Sequence, residues 1–419
     1  SIREARENGD LDATFAGLLD LSAPDSRGNR AALCAFHDDS RPSMSISDNG
    51  LAYCFACGWG GTVFAIIQQL LGYSFGKSVE YVASKSGVTI QYDKAGATPL
   101  PKDTIDRLHA IQESAASFFE DNLLVPEAAP AREYLEERKF AVEDSIDFFG
   151  CGYALNEFRA LTDHLLAQGF TEEEIVLAGL AKESDNGRVY DTFRGRLMWP
   201  FRNAQGNVIA FTGRTVIGDQ AKFINSPETP LFKKKDAFYG ADLAREAVRE
   251  NRQIVLVEGQ GDVMAFHASG IHNVIAVSGT AFSSDHARAL APLAMSRGQW
   301  VEVVIATDAD EAGRKASERI FGALAGAGAV DLKFIGYPEG QDAADVWTTG
   351  GAVAVTELLN SRIPMPEALI AAHLGPVNDP VARSYGVSHL RPLLAAIKDP
   401  VTQDHWIKQA AKAFSCPLD

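Results

Sequence analysis

The hydrophobic pattern of the chain changes several times along its length, and each change predicts a different kind of structure. Apolar residues recur at helical spacing between Thr104 and Leu124, and a second helix is predicted over Ala131–Arg138. Two strand-like runs on either side of an NAQGN turn predict a β-hairpin within residues 197–213. Residues 251–340 alternate strand-like with helix-like runs, which predicts a parallel sheet with helices on its faces. The last part, residues 351–419, is predicted to be helical.

A polar segment divides the chain into two parts. Residues 93–103, DKAGATPLPKD, have little apolar content and contain glycine and proline, so we expect a linker there. Before it lies a module of residues 1–92. After it, the changes of pattern predict a mixed α/β subdomain at 104–250, an α/β subdomain with a parallel sheet at 251–345, and a helical subdomain at 346–419. The predicted fold class is therefore multidomain α+β and α/β.

Composition limits the classes of protein to which the chain can belong. A hydrophobic fraction of 46% and a charged fraction of 22% are typical of a globular protein. The longest apolar runs, such as Val301–Ala306, have the length of a strand and are too short to cross a bilayer. The start of the chain is polar and acidic, unlike a secretory signal. These features together predict a cytoplasmic protein.

The net charge of −16 counts against a nucleic-acid-binding protein unless the chain carries a local basic channel. Residues 187–235 predict such a channel, because only three of them are acidic. Its basic residues are Arg188, Arg194, Arg196, Arg202, Arg214, Lys222, Lys233, Lys234 and Lys235. For the lysine run taken alone, a solvated surface is the favoured alternative. An acidic protein of this kind should bind DNA weakly and lose that binding readily with salt, so we expect a partner at the template.

Four metal-ligand residues lie in two close pairs. Cys34 and His37 form the first pair, and Cys54 and Cys57 follow after sixteen residues. Thiolate and imidazole are the donors that zinc prefers, and four protein ligands are typical of a structural site. The chain has five cysteines, three clustered and two scattered, which does not fit a disulfide framework. The spacing therefore predicts one structural zinc ion.

Aromatic residues surround the second cysteine pair. Tyr53, Phe55 and Trp59 are candidates for stacking on bases of a template. Trp59 is the best of these candidates, whereas packing around the zinc is at least as good an explanation for Phe55. Both interpretations remain open for this group.

Carboxylates follow two predicted strands at the point where each strand ends. Glu258 follows the run IVLV, and Asp308 and Asp310 follow the run at Val301–Ala306. The carboxyl ends of parallel strands share one edge of a sheet, which is where ligands bind. Carboxylates brought together need cations to neutralise them, and Mg²⁺ prefers oxygen ligands. This arrangement predicts a metal-dependent phosphoryl-transfer site.

Three further acidic residues are weaker candidates for the same site. Asp342 and Asp345 lie in PEGQDAADVW, after the next predicted strand, and Asp262 follows Glu258. For Asp262 and Asp345 a helix N-cap or a solvated loop is a competitive alternative.

These motifs together resemble a known family. The segments EGQGDV (258–263), SGT (278–280) and DADEAGR (308–314) are similar to the Toprim fold of bacterial primases, type IA and II topoisomerases and some nucleases. Residues 187–240 closely resemble the N-terminal part of the catalytic core of bacterial DnaG-type primases. The cysteine and histidine module is similar to that family's CHC2-type zinc-binding domain, a small zinc-ribbon-like fold.

The resemblance implies a nucleotidyltransferase that makes short RNA primers on single-stranded DNA from NTPs. Mg²⁺ or Mn²⁺ on Asp308, Asp310 and Asp342 would bind the incoming nucleotide, and Glu258 would bind metal or act as a base. Nucleotide or template contacts are expected at these residues: Arg194, Arg196, Arg214, Lys222, Asn225, Lys234 and Trp59. A replicative helicase and a single-strand binding protein are the implied protein partners.

The chain departs from the family pattern at two motifs. Gln260-Gly261 replaces a more usual aromatic–Met pair, a change that we expect to affect packing only. In the third acidic motif Ala344 stands where a second aspartate is expected, so Asp345 is the candidate substitute from the next position. The family usually continues into a helicase-binding domain, and we expect either a fragment or a short primase here.

Two alternatives share part of this pattern. A Toprim nuclease would cut DNA with the same acids, but it would need neither the SPET segment (226–229) nor the zinc module. A DNA- or helicase-binding module that has lost catalysis is favoured only by the altered third motif, and Glu258, Asp308 and Asp310 argue against it.

Overall fold

The computed structural model describes residues 10–37, 39–71, 73, 75–86, 88, 101–218, 221–279, 281–296, 298–308, 310–374 and 379–415. The chain divides into two compact units, Ser1–Pro99 and Leu100–Asp419. Residues 93–100 of the predicted linker lie outside the described residues, and the finer subdomain boundaries stay predictions. Among the helices described, none combines the length and the apolar character that crossing a bilayer requires.

The first unit is built on an antiparallel sheet whose four strands lie side by side in chain order. They are β1 (Arg30–Ala32), β2 (Met44–Ile46), β3 (Leu51–Cys54) and β4 (Gly60–Thr62). The helices of this unit are α1 (Leu11–Phe15), α2 (Val63–Leu71) and α3 (Phe75–Lys85). The core is small, with Phe15, Ile46 and Phe64 among its buried side chains. A domain of this size usually needs an additional staple, such as a metal ion.

The second unit begins with helices. The first two confirm the predicted pair, although α4 lies two residues earlier than the pattern indicated. The helices are α4 (Lys102–Asn122), α5 (Ala129–Glu137), α6 (Val142–Asp147), α7 (Ala160–Ala167) and α8 (Glu172–Leu177), with a short 3₁₀ helix at Pro126–Ala128.

An antiparallel sheet with the strand order β10-β9-β8-β5 packs against these helices. Its strands are β5 (Gly152–Ala154), β8 (Arg196–Arg202), β9 (Val208–Thr215) and β10 (Phe223–Asn225). Strands β8 and β9 form the predicted hairpin. A separate ribbon contains β6 (Ala181–Glu183) and β7 (Val189–Asp191), and a 3₁₀ helix covers Lys234–Asp236.

A parallel sheet follows, as the alternation of strands and helices predicted. The strand order is β12-β11-β15-β16-β17. Its strands are β11 (Gln253–Val257), β12 (Val274–Ala276), β15 (Glu302–Thr307), β16 (Leu332–Gly336) and β17 (Ile363–Pro364). Strand β17 is antiparallel and forms one edge. At the other edge Tyr239 and Ala276 exchange two backbone hydrogen bonds of 3.0 Å.

Helices connect and cover the strands of the parallel sheet. They are α9 (Ala241–Asn251), α10 (Gln260–Ala268), α11 (Ser284–Ala294), α12 (Glu311–Gly326), α13 (Ala343–Asn360), α14 (Met365–His373), α15 (Pro380–Ala395) and α16 (Pro400–Phe414), besides the small hairpin of β13 (Met295–Ser296) and β14 (Gln299–Trp300). The predicted helical tail is confirmed. Helix α13 breaks at Gly351, whose φ of 64° favours glycine.

One buried contact joins the β8 sheet to helix α10, which packs on the parallel sheet. Trp199 of β8 donates its indole N–H to the sulfur of Met264 on α10 at 3.4 Å. Both side chains belong to a core shared by the two sheets. This packing brings the basic β9–β10 region next to the carboxyl edge of the parallel sheet.

Candidate functional site

The four predicted zinc ligands converge in the first unit. Their ligand atoms all lie within 4.8 Å of one another. The sulfur atoms of Cys34 and Cys57 are 3.9 Å apart, and the Cys54 sulfur is 3.9 Å from Nδ1 of His37. Bonds of about 2.0–2.3 Å to a tetrahedral zinc ion require separations of this size. The donor set and its spacing therefore fit one zinc ion.

A small hydrogen-bond network surrounds these ligands. Ser43 donates its hydroxyl to Asp39 at 2.6 Å, and its oxygen lies 3.2 Å from the Cys54 sulfur. Asp39 also accepts the backbone amide of Cys34 at 3.0 Å. Burial opposes ionisation of Cys54, but hydrogen bonding with Ser43 and with the Cys57 amide lowers the pKa of Cys54 to about 6. Asp39 and Ser43 thus hold the predicted zinc ligands in position from outside the ligand set, and no spacing or composition in the sequence indicates them.

The solvent exposure of the aromatic residues in this unit does not follow their expected ranking as template contacts. Trp59 stacks on Phe36, with ring centroids 3.8 Å apart and an interplanar angle of 18°. Phe55 is 76% exposed and Tyr53 is 48% exposed, and their rings meet edge to face. The packing explanation for Phe55 was therefore wrong. Trp59 remains a predicted template contact, but its ring already has a partner within the unit.

Carboxylates meet at the carboxyl edge of the parallel sheet, in a pocket of about 250 Å³ that we call the acidic pocket. Its acidic lining residues are Glu258, Asp262, Asp308 and Asp342. The backbone amide of Asp308 donates to Oε1 of Glu258 at 2.9 Å, which fixes the two strand ends together. Burial, and then the charges of Glu258 and Asp342, raise the pKa of Asp308 to about 7. Carboxylates held this close together are the arrangement that a bound cation stabilises.

Asp310 lies at the rim of this group. It is the N-cap of α12, and its Oδ1 accepts the amide of Gly313 at 2.7 Å. Together with Asp308, it lines a neighbouring pocket on the opposite side of Asp308 from Glu258. A Cβ on Gly313 would lie 2.1 Å from the backbone oxygen of Asp308, so only glycine allows the helix to start here.

Asp262 belongs to the site more fully than the sequence indicated. It is 6% exposed, and its Oδ2 caps the start of α10 by accepting the Gly259 amide at 2.9 Å. Burial, and then the charges of Asp342 and Asp308, raise its pKa to about 8. Asp262 is therefore not the N-cap of α10, which is Gly259, but the N3 residue of its capping box, and it also lines the acidic pocket.

The third acidic motif supplies one carboxylate to the pocket. Asp342 lines it and caps α13, accepting the Asp345 amide at 2.7 Å. The Asp345 side chain turns back to the Asp342 amide at 3.3 Å and does not line the acidic pocket. Ala344 does line it and is buried. Position 344, where a second aspartate was expected, is thus the one that faces the pocket.

The substituted Gln260-Gly261 pair has a polar role besides packing. Gln260 donates its side-chain amide to the Ser278 hydroxyl at 2.9 Å, and both residues line the acidic pocket. The expectation that this pair affects packing only was therefore wrong for Gln260. At Gly261 an added Cβ would make only an ordinary contact with Ala344 at 3.7 Å, so packing does not require glycine there.

Basic and amide side chains from β9, β10 and the residue just before β10 also line the acidic pocket. Arg214, Lys222 and Asn225 all line the acidic pocket. The Arg214 guanidinium lies over the ring of Tyr134, 4.4 Å from its centroid. Asn225 donates to the backbone oxygen of Ser278 at 3.1 Å. These predicted contacts are brought together with the carboxylates.

Sequence reasoning missed two residues of this pocket. Tyr134 and Arg138, both from the α5 region, line the acidic pocket. Arg138 lies 3.4 Å from both Asp342 and Asp345. Residues 131–140 resemble the start of the family's catalytic core and are predicted to be helical, but the two glutamates before Arg138 and the lysine after it give no net basic charge that would indicate a site.

Three other predicted contacts lie outside the acidic pocket. Arg196 is buried and donates to the backbone oxygens of Gly213 and Ala221 at 3.1 and 2.9 Å, so its role is to hold strands together. Arg194 lies over the exposed ring of Phe158 at 4.7 Å, away from the pocket. Lys234 lines a small crevice beside Asn225.

Comparisons with known proteins agree with this geometry. Residues 24–98 match the family model of the CHC2 zinc finger, residues 118–245 match the N-terminal domain of the DNA primase catalytic core, and residues 252–336 match the Toprim domain. A DNA primase of Mycolicibacterium smegmatis is 36% identical over 98% of this chain. The chain spans 65% of the length of that relative.

Solved structures give the same result. The RNA polymerase domain of Mycobacterium tuberculosis primase DnaG is 36% identical, with a TM-score of 0.67 over 73% of this chain and 98% of that one. The zinc-binding and RNA polymerase domains of the Aquifex aeolicus primase are 26% identical, with a TM-score of 0.64 over 100% of this chain and 97% of that one. The order of the three matched models and the identity over nearly the whole chain show that it belongs to the bacterial DnaG-type DNA primase family.

Proposed function

We propose that this chain synthesises short RNA primers on single-stranded DNA from NTPs. The observation that carries the proposal is the acidic pocket, where four carboxylates face Arg138, Arg214 and Lys222 across a cleft. Nucleotidyl transfer needs this combination, because cations on the carboxylates and basic side chains both hold a triphosphate.

Glu258, Asp308 and Asp342 are the residues that we propose to hold Mg²⁺ or Mn²⁺ in the acidic pocket, with Asp310 at its rim. Such an ion, when bound, stabilises the charge that develops on the transferred phosphoryl group and activates the attacking oxygen. The raised pKa values of Asp308 and Asp262 support this assignment, since the group is unfavourable without added positive charge.

The remaining groups position the reactants. In the proposed reaction the 3′ oxygen of one nucleotide bonds to the α-phosphorus of the next. The bond to the β-phosphate oxygen breaks, pyrophosphate leaves, and the hydroxyl proton passes to a base. Arg138, Arg214 and Lys222 bind phosphates, and Tyr134 holds the Arg214 guanidinium by stacking. Glu258 keeps one orientation through the Asp308 amide, as a metal ligand or a base requires.

We assign the first unit to holding the template strand, with a structural zinc ion on Cys34, His37, Cys54 and Cys57. Its exposed Phe55 and Tyr53 support this role, since exposed aromatic rings can stack on unpaired bases. The net charge of −16 implies weak binding to DNA alone. We therefore also propose a replicative helicase and a single-strand binding protein as partners at the template.

Primer synthesis on mixed-sequence single-stranded DNA, with Mg²⁺ and labelled NTPs, tests the proposal. The wild-type protein should make short RNA, and the Asp308→Ala variant should make none. Shortened DNA in place of RNA would favour a nuclease. Absence of both RNA synthesis and DNA cutting, also after addition of a replicative helicase, would overturn the proposal.

A further inference from the structure

The chain has an uncommon backbone conformation just after strand β12. Ser278 has a φ of 57°, and the next residue, Gly279, has a φ of 78°. We call this pair the Ser278 turn, and both residues line the acidic pocket. Glycine adopts a positive φ freely, whereas the Cβ of any other residue then approaches the backbone too closely. Strained residues of this kind persist only where their surroundings hold them, so the contacts of Ser278 decide whether the turn keeps its shape.

Three hydrogen bonds hold Ser278, one at each of its polar groups. Its backbone amide donates to the backbone oxygen of Glu258 at 3.0 Å. Its backbone oxygen accepts the side-chain amide of Asn225 at 3.1 Å. Its hydroxyl accepts the side-chain amide of Gln260 at 2.9 Å. The bond from Gln260 therefore ties the start of α10 to the turn after β12.

The bond between Gln260 and Ser278 is well protected from water. Gln260 is 4% exposed and Ser278 is 7% exposed. A hydrogen bond in such surroundings is stronger than one in water, and its loss leaves a buried polar group without a partner. Gln260 also stands where the family pattern has an aromatic residue, so this link is a feature in which the chain departs from that pattern.

The Ser278 turn brings a backbone donor to the acidic pocket. Gly279 lines this pocket, and its amide has no hydrogen-bond acceptor among the described residues. The same pocket contains Arg214 and Lys222, the basic side chains that we assign to phosphates. Backbone amides in turns are suitable donors to phosphate oxygens, and a donor that is already fixed needs no rearrangement when the ligand arrives.

We propose that Gln260 is a positioning residue, which holds Ser278 in its left-handed conformation so that the Gly279 amide binds a phosphate oxygen of the NTP. The inference rests on the proposed function, because the NTP is the substrate of that reaction. Gln260 acts through the backbone of Ser278 and does not contact the nucleotide. Its role should therefore become unnecessary if residue 278 adopts the same conformation unaided.

Two substitutions of Ser278 separate positioning from direct contact. Ser278→Ala and Ser278→Gly both remove the hydroxyl that accepts the Gln260 amide, but only glycine adopts a positive φ without strain. We expect the KM for NTPs to be about fivefold higher in Ser278→Ala than in Ser278→Gly, with similar kcat in the two variants. If the hydroxyl itself bound the substrate, the two variants would have the same KM.

Gln260→Met is the direct test, because methionine has a similar length but donates no hydrogen bond. It should raise the KM for NTPs about fivefold in the wild-type background and cause no further increase in the Ser278→Gly background. Gln168→Met is the matched control and should keep the wild-type KM. Gln168 also bonds a serine hydroxyl, that of Ser114 at 2.6 Å, but it does not line the acidic pocket.

Steady-state primer synthesis gives the KM values, and equilibrium dialysis of ATP with Mg²⁺ and without template measures binding independently of synthesis. Thermal denaturation shows which variants are folded, and the Ser278 pair decides the question if Gln260→Met is not. Equal KM values in the Ser278 pair, or the same increase from Gln260→Met in both backgrounds, would overturn the positioning role while RNA synthesis upholds the proposed function. If no protein makes RNA but ATP binding follows the expected order of the variants, the proposed function fails and the role of Gln260 stands.

Discussion

At the scale of single residues, the carboxylates grouped in the acidic pocket make the folded state less stable when they are ionised. Burial raises the pKa of Asp262 to about 8 and of Asp308 to about 7, and neighbouring carboxylates add to both shifts. A carboxyl group whose pKa is higher in the folded state than in the unfolded state lowers stability at pH values where the unfolded chain is ionised. The metal-free protein should therefore lose stability as the pH rises from about 4 to about 8.

Magnesium should reverse this loss, because it binds the ionised carboxylates and only the folded protein presents them together. We expect Mg²⁺ to raise the melting temperature of the second unit by about 2 °C or more at about pH 8, and by less at about pH 5. Thermal denaturation with and without Mg²⁺ at the two pH values measures this difference. Asp308→Asn is the control and should lose most of the gain, so an equal gain in that variant would contradict the assignment.

Substitution of two arginines in the same basic segment should lower stability in one case and activity in the other. Arg196 is buried among backbone oxygens, so Arg196→Gln should lower the free energy of unfolding by about 2–3 kcal/mol. Arg214 lines the acidic pocket, so Arg214→Gln should lower kcat/KM for NTPs about tenfold or more at unchanged stability. Chemical denaturation and steady-state primer synthesis separate the two effects. A stable Arg196→Gln protein with weak NTP binding would restore Arg196 as a substrate contact.

This pair of arginines also illustrates what a sequence can predict about a site. The position of Glu258 and Asp308 at strand ends was sufficient to predict that they meet, because neighbouring parallel strands bring their carboxyl ends to one edge. The approach of Arg138 to Asp342 depends on packing between segments about two hundred residues apart. The burial of Arg196 depends on its contacts with the backbone of Gly213 and Ala221. Local composition carries no information on such contacts.

At the scale of secondary structure, the positions of the two aspartates depend on the close contact between the start of α12 and the end of β15. The amide of Gly313 donates to Asp310, and its Cα lies against the Asp308 backbone. The strand, the turn and the first helical residues therefore act as one rigid unit that holds both aspartates.

A side chain at position 313 should displace Asp308. Gly313→Ala introduces a Cβ 2.1 Å from the Asp308 oxygen, so we expect primer synthesis to fall by about 100-fold. Gly322→Ala in the same helix is the matched control, because its Cβ would make only an ordinary contact with Leu393 at 3.8 Å. The control should gain about 0.5–1 kcal/mol of stability and keep its activity. Equal activity in the two variants would show that the helix start tolerates displacement.

The periodicity of the sequence was sufficient to predict most helices and the parallel strands, but it did not predict the short antiparallel strands. Strand β17 has only two residues and is defined by its pairing with Phe334 and Lys333. A segment this short has no measurable alternation, and tertiary pairing decides its conformation.

At the scale of the whole molecule, the chain contains two units with different sources of stability. The first has a small core and the four predicted zinc ligands, and the second has extensive cores around its two larger sheets. Metal removal should therefore affect the two units unequally.

Chelation of zinc should unfold the first unit and leave the second folded. Limited proteolysis with mass spectrometry should then yield a resistant fragment that begins near residue 100, and added zinc should restore protection of residues 10–88. Rapid degradation of residues 101–415 after chelation would contradict this independence.

The edges of the parallel sheet have a consequence for behaviour in concentrated solution. Pro364 at the β17 edge has no amide hydrogen to offer, and β12 at the other edge is engaged by Tyr239. Exposed strand edges are the usual starting points for aggregation and domain swapping, because they accept strands from other molecules. With a proline at one edge and a local bridge at the other, the five-stranded sheet is protected from edge-to-edge growth, so a concentrated solution of the protein should not assemble into fibrils through this sheet.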